Sequence, residues 1–356
     1  PNKLFSAISG IYNFEAVKKL KKLLLNWKPD IAHFHGVSKA LTWAPIKIIN
    51  SCKIPVVYTL HDFGLLCPNM GLYNFKKEAP CYLYEKGKAL KCLFINCDKR
   101  SYLQKIWRYY RFHYTKVFLK IYKRIDGFIA VSNFVKEIFS IYLPIDKRIK
   151  IINNPIEKID NTFLPKAAHK HKTTFLYMGR LSEEKGIDIL MAAIREVDAN
   201  LIIIGEGELS SFIKIEACKL NKQKINILGW MDKQKIYEQI KVCDAMILPS
   251  KVKETAGIAI LEAAMLMKSS IVADQGGPLD FVKDNFNGVL FEAGNKNALI
   301  SAMQKYIDNP FLSVILGKNA QSFFEKSDFS FKKHIKELEN FYTKIISDYK
   351  NLKKLA

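Results

Sequence analysis

Glu254 and Glu262 stand on either side of a glycine in the run Glu254-Thr255-Ala256-Gly257-Ile258-Ala259-Ile260-Leu261-Glu262. Gly257 opens an apolar helical pattern, so free N–H groups and the positive end of a helix dipole meet there, a setting that holds phosphate. Glu254 precedes that helix, at its mouth, where its oxygens are placed to accept from sugar hydroxyls. Glu262 lies about one turn into the helix beside apolar Leu261, Ala263 and Ala264. A half-buried carboxylate there needs partners, and ribose hydroxyls would serve. Upstream, Gly179-Arg180-Leu181-Ser182-Glu183-Glu184-Lys185-Gly186 combines the planar fork of Arg180 with the point charge of Lys185, a pair able to reach one diphosphate across a turn. Gly205-Glu206-Gly207 lets a ligand approach the backbone. Asp274-Gln275-Gly276-Gly277-Pro278 is first of all a turn. His61, next to Asp62, has the chemistry of an acid, base or hydrogen-bond donor. Each feature has a plainer alternative: a helix cap, an exposed helix face or a solvated loop.

The elements that must position these residues are short β-rich runs alternating with helical patterns, which predicts α/β architecture with parallel sheets buried on both faces. Strands are predicted near Asp30–His35, Ile54–Leu60, Gly127–Val131 and Ile149–Ile152. A second set lies near Thr173–Met178, Asn200–Ile204, Ile225–Leu228, Ala245–Leu248 and Ser270–Ala273. Helices are predicted near Glu15–Leu25, Ile187–Val197 and Ile258–Met267. Two domains of Rossmann-like kind follow: 1–156, then a polar linker over 157–172, then 173–330, with a terminal helix over 331–356 packing back on the first domain. The His169/His171 pair in the linker reads as solvated chain rather than a metal site. Ligands in such sheets bind beyond the carboxyl ends of the strands, where all the singled-out residues fall. His33 and His35 alternate along one strand and share a face; without further obvious ligands they suit a pocket or packing role.

Composition narrows the partners. The 356 residues carry a net charge of +22, and residues 1–165 hold 28 Lys+Arg against 11 Asp+Glu, so the first half favours something anionic. Residues 99–125 contain nine Lys/Arg, eight aromatics and no acid, a pattern suited to an anionic membrane surface, with a packed amphipathic helix as the plain alternative. No nucleic-acid motif is present. No apolar run reaches 18 residues, too short to span a bilayer as a helix. Cys67, Cys81, Cys92 and Cys97 cluster in sequence, but only Cys92 and Cys97 have zinc-like spacing, so they read first as chance or structural thiols, with a structural zinc site as the alternative. Seven cysteines without dense pairing fit a reducing cytoplasm.

The set as a whole resembles the retaining glycosyltransferases of family four, which adopt the GT-B fold, two Rossmann-like domains facing a cleft. The resemblance covers about residues 29–310 and rests on Pro29-Asp30-Ile31-Ala32-His33, Thr59-Leu60-His61-Asp62, Val131-Ser132-Asn133, Asn153-Asn154-Pro155, Gly179-Arg180-Leu181 with Lys185-Gly186, Gly205-Glu206-Gly207, Leu228-Gly229-Trp230, Gly276-Gly277 and, most specifically, Glu254-x7-Glu262. It implies that Arg180 and Lys185 hold the donor diphosphate and that Gly257 and Ile258 offer it backbone N–H groups. Gly205 would line the donor site. Glu254 would contact the donor sugar, Glu262 the ribose and Trp230 the base, with His61 near the reacting sugar. It further implies a nucleotide-diphosphate sugar as donor, a glycan or lipid-linked acceptor, no metal and no other cofactor. Work at the inner face of a bacterial plasma membrane, in surface polysaccharide, capsule or lipopolysaccharide synthesis, is also implied. The family's usual first strand and glycine-rich loop are not found ahead of Pro29, so the first domain is expected to be incomplete. Asp280 stands where members commonly carry Glu. An epimerase of the same architecture and an inactive nucleotide-sugar-binding module are the alternatives.

Overall fold

The computed structural model describes residues 7–37, 40–83, 89–144, 148–157, 172–220 and 224–354. The linker expected over 157–172 lies outside these except for its two end residues, as does the His169/His171 pair. The chain divides into two compact units, one of residues 1–153 with 334–356 and one of residues 154–333.

In the first unit, strands β1 (Ala32–His35), β2 (Val56–Leu60), β3 (Tyr73–Asn74), β4 (Ala79–Pro80), β5 (Gly127–Ala130) and β6 (Arg148–Ile151) form two sheets. β1-β2-β5-β6 is wholly parallel, while β3 and β4 make a small antiparallel pair. The central strands β2 and β5 are buried at every position, which is why they read as unbroken apolar runs; the edge strand β6 alternates. The helix Phe331–Lys354 covers one face. Its Leu338, Phe341, Tyr342 and Ile345 recur at one-turn spacing and pack on Val57, Ile129 and Ile152. Burial of Phe341 and Ile345 contributes about 1.5–3 kcal/mol each. Gly127 makes the approach possible: a Cβ there would lie 2.7 Å from the Ile345 side chain.

In the second unit, β7 (Thr174–Met178), β8 (Asn200–Ile204), β9 (Ile225–Gly229), β10 (Ala245–Leu248), β11 (Ser269–Ala273) and β12 (Gly288–Phe291) form one parallel sheet in the order β12-β11-β10-β7-β8-β9. The chain winds outward from β7 through β8 and β9, then restarts at β10 on the other side of β7. The exits of β7 and β10 are therefore neighbours whose connections diverge, a topological switch point and the place such sheets bind ligands. β12 is an addition to the predicted strands.

Candidate functional site

The loops that leave β7 and β10 are locked together by backbone. Gly186, at φ +70°, closes the turn Glu183–Lys185 and starts the helix Ile187–Ile194. A Cβ at Gly186 would sit 1.8 Å from the Pro249 carbonyl oxygen just beyond β10. Lys251 N–H donates to the Glu184 carbonyl at 3.0 Å, and the Lys251 ammonium pairs with Asp188 at 2.7 Å. From beneath, the buried Tyr177 hydroxyl donates to the Arg180 carbonyl at 2.7 Å and fixes the chain at the strand exit.

That lock brings Lys185 to Glu254, 69 positions along the chain, with Nζ 2.5 Å from Oε1. The Ser250 hydroxyl donates to the same oxygen at 2.6 Å, and Gln275 Nε2 holds the Ser250 carbonyl at 2.9 Å. Gly277 N–H donates to the Glu254 backbone carbonyl at 2.8 Å, so the Gly276-Gly277 turn also fixes the chain that carries this carboxylate. Three residues on, Gly257 at φ +94° begins the helix Ile258–Met265 without a side-chain cap. The first amides of that helix have no intrahelical acceptor, as at every helix start. Glu262 is half-buried; burial pushes its carboxyl up, while the Lys233 ammonium and Tyr237 hydroxyl draw it down. Lys233 also pairs with Glu157 at 3.1 Å and lies over the Tyr237 ring at 5.6 Å.

The remaining candidates line the same carboxyl edge in the order of the strands. Gly205 follows β8, and its N–H donates to Gly229 at 2.7 Å; Trp230 follows β9 and is 76% exposed. Arg180 is exposed, and no carboxylate pairs with it among the described residues. Lys185 and Glu254, assigned separate tasks on sequence grounds, neutralise one another here. Tyr177, Ser250, Lys251, Asp188 and Gln275 carry no motif of their own, and the sequence reading passes over them. Ser250, just past a strand and one turn before Glu254, was the most findable.

The first unit gathers histidines. His33 shares hydrogen bonds with Thr59 Oγ1 at 2.7 Å and Tyr342 Oη at 2.6 Å, and its ring lies 4.0 Å from that of His35. His35 Nδ1 and His61 Nε2 are 3.0 Å apart, so one donates and the other accepts. Burial pushes all three below the usual imidazole range, His33 to about 3 with further repulsion from His35, His61 and His334. The cluster is thus neutral at pH 7. Between His33's ordinary value and about 3, the native state binds fewer protons than the unfolded chain, so stability falls as pH falls. A His33→Gln chain is expected to lose one proton's worth of that slope, at most ~1.4 kcal/mol per pH unit. Denaturant titrations from pH 7 to 4 measure it, and identical slopes would refute it.

Beside His61, Asp62 and Gly64 open onto a cavity of about 180 Å³ whose lining includes Trp43, Tyr58, Asp62, Arg108, Arg111 and Phe112. Burial raises the Asp62 carboxyl, and its Oδ1 accepts the Gly64 N–H at 2.7 Å while Arg111 opposes the shift. Two arginines and one carboxyl in an aromatic pocket suit an anionic or polyhydroxylated ligand.

The zinc reading of Cys67, Cys81, Cys92 and Cys97 is corrected. Among the described residues no group of three or more His, Cys, Asp or Glu is arranged to hold a metal ion. The Lys105 ammonium stands against Cys92 and Cys97 instead, and one cation repels another from that position.

A pair of parallel α/β units, the second with cations, a carboxylate and an open helix start along one carboxyl edge, defines a two-domain protein of the GT-B class. The chain belongs to the glycosyltransferases of family 4: the profile described as Glycosyltransferase Family 4 matches residues 3–158, and that of Glycosyl transferases group 1 matches residues 159–323. An uncharacterized glycosyltransferase of Methanocaldococcus jannaschii, MJ1178, is 31% identical over 337 residues, 94% of this chain and 88% of that protein. O-antigen chain mannosyltransferase C of Escherichia coli is 26% identical over 51% of this chain and 50% of its own. Among solved structures, HepE of Anabaena in complex with UDP superposes with a TM-score of 0.66 at 16% identity, covering 92% of this chain and 82% of its own.

Proposed function

We propose that this glycosyltransferase moves a hexose, with retention, from a nucleotide-diphosphate sugar to a glycan or lipid-linked acceptor in the assembly of a surface polysaccharide or lipopolysaccharide. The observation that carries the reading is the meeting of Lys185, Glu254 and the uncapped start of helix Ile258–Met265 at the switch point of the second sheet. A diphosphate seated there would take its hydrogen bonds from the Gly257 and Ile258 amides and its charge balance from Arg180 and Lys185. Negative charge grows on the leaving phosphate oxygen as the glycosidic bond breaks, and fixed positive groups lower that barrier. In this reading no metal is required. Glu254, once Lys185 turns to the phosphate, accepts from sugar hydroxyls; Glu262 takes the ribose hydroxyls that its desolvated carboxyl lacks, and Trp230 offers its exposed face to the base. His61, neutral at pH 7, is a hydrogen-bond partner for the reacting sugar, and the Asp62–Arg111 cavity is the acceptor side. No carboxylate nucleophile is invoked, unlike in two-carboxylate glycosidases.

The named activities of relatives support the substrate class: an O-antigen mannosyltransferase, a D-rhamnosyltransferase, WbpZ, of Pseudomonas aeruginosa, and the UDP-bound HepE. A peripheral place on the inner face of the membrane is part of the proposal. No helix among the described residues is long and apolar enough to cross a bilayer. Exposed Leu103, Tyr110, Val117 and Phe118 recur along helix Tyr102–His113 and the π-helical turn after it, flanked by exposed Arg100, Lys116 and Lys120. Rings and aliphatics at headgroup level with cations on phosphate are how such a face binds anionic lipid. The test is a panel of nucleotide sugars with lipid-linked acceptors in anionic or neutral vesicles, the product's anomeric configuration read by NMR. Retained configuration, higher rates on anionic vesicles and insensitivity to EDTA are expected. Inversion, epimerised donor without transfer, or loss of rate in EDTA would each refute the part it addresses.

A further inference from the structure

The segment between β2 and β5 holds a buried nucleophilic cluster that sugar transfer does not use. Lys105, on helix Tyr102–His113, is fully buried, and its ammonium donates to Cys92 Sγ at 2.9 Å and to Cys97 Sγ at 3.2 Å. Behind them, Asn69 Nδ2 donates to Cys97 Sγ at 3.3 Å, and the Cys67 thiol donates to Asn69 Oδ1 at 3.0 Å. A buried ammonium needs a negative partner. Among the described residues, the groups that face it are Cys92 and Cys97, with Tyr109 alongside. The nearby acid, Asp98, is held by Arg108 at 3.2 Å. The partner that the described residues leave to Lys105 is therefore sulfur. Cys92 is half-buried, while Cys97 is buried and its thiol is pushed up by burial against the pull of Lys105. All the cysteines are free.

We propose that Cys92 and Cys97, seated on the Lys105 ammonium, form a reversible dithiol–disulfide couple through which a small disulfide such as oxidised glutathione acts on the helix lining the Asp62 cavity. The Cys92 thiolate attacks one sulfur of oxidised glutathione; the S–S bond breaks, and one glutathione leaves as thiolate and takes up the proton that Cys92 gave to solvent. Cys97 then loses its proton and attacks the Cys92 sulfur of the mixed disulfide, releasing the second glutathione. The protein gives up two electrons and two protons, and one glutathione disulfide becomes two thiols. Lys105 stabilises the charge on sulfur in both steps. In the disulfide neither sulfur can carry charge, so the buried ammonium has no sulfur anion to pair with. Arg108 and Arg111 lie one and two turns further along the same helix and line the cavity, so the helix end that must shift is tied to that site.

The experiment equilibrates the full chain in glutathione buffers, quenches with acid, alkylates free thiols and maps peptides by mass spectrometry. It reads no transfer activity, so its outcome is independent of the proposed function. A Cys92–Cys97 linkage that dithiothreitol reverses is expected, with exposed Cys218 left unlinked to either. Lys105→Met is expected to slow linkage at pH 7 roughly tenfold. Cys97→Ser is expected to stop at the Cys92 mixed disulfide, and this variant decides the matter if Lys105→Met does not fold. Absence of the linkage, a dominant linkage between other cysteines, an unchanged rate in Lys105→Met, or stoichiometric zinc in native mass spectra would overturn the proposal.

Discussion

On the proposed donor chemistry, Glu254→Gln is expected to lower kcat by ~10²–10³-fold while leaving the melting temperature of the chain nearly unchanged. Glutamine keeps the shape and can still accept from Ser250. The backbone bond from Gly277 to the Glu254 carbonyl does not depend on the side chain. What is lost is the negative charge opposite Lys185 and the stronger acceptor for sugar hydroxyls. Lys185 is half-buried and can turn to solvent, so little folding energy is at stake. Lys185→Ala should act on both parameters, raising the donor KM because the bound diphosphate already carries charge and lowering kcat because more charge grows on the leaving oxygen. Steady-state kinetics on both variants separates the two. A Glu254→Gln enzyme with wild-type kcat/KM would remove this carboxylate from the site.

Gly186→Ala is expected to destabilise the second unit by ~3 kcal/mol or more and to abolish donor binding with it. Two effects act at this position. Positive φ alone costs alanine about 1–2 kcal/mol. The added Cβ would also lie 1.8 Å from the Pro249 carbonyl, so the β7 and β10 loops must part, and the Lys185–Glu254 pair parts with them. Gly294 isolates the first effect: its φ is +81°, and a Cβ there meets nothing within 4 Å. Gly294→Ala should therefore show only the conformational cost. Denaturant melts of the two variants, with the donor nucleotide's thermal shift as second readout, decide between strain and collision. Equal destabilisation would mean that the loops yield freely and that their close packing does not hold the site.

Much of this was legible in the residue order. Buried parallel strands announce themselves as short apolar runs, and the predicted strands fall on β1, β2 and β5 through β11 within a few residues. Glycine clusters after those runs marked the turns, because positive φ or a backbone approach leaves little choice of residue. β12, Gly-Val-Leu-Phe, escaped, and it is pairing with β11 that makes these residues a strand. The β3–β4 pair escaped because two residues are too few to show a period.

The chain's local chemistry set the type of each element and the side of the sheet where polar residues would gather, since period, turn and cap signals act over a few positions. Encounters between distant residues were settled by packing alone. Lys185 meets Glu254 because β7 lies beside β10, and His33 meets Tyr342 because the last helix folds onto β2 and β5. The cysteines show the difference most plainly. Their spacing admitted a metal, and a lysine brought in by the neighbouring helix put a charge of the same sign against two of the sulfurs.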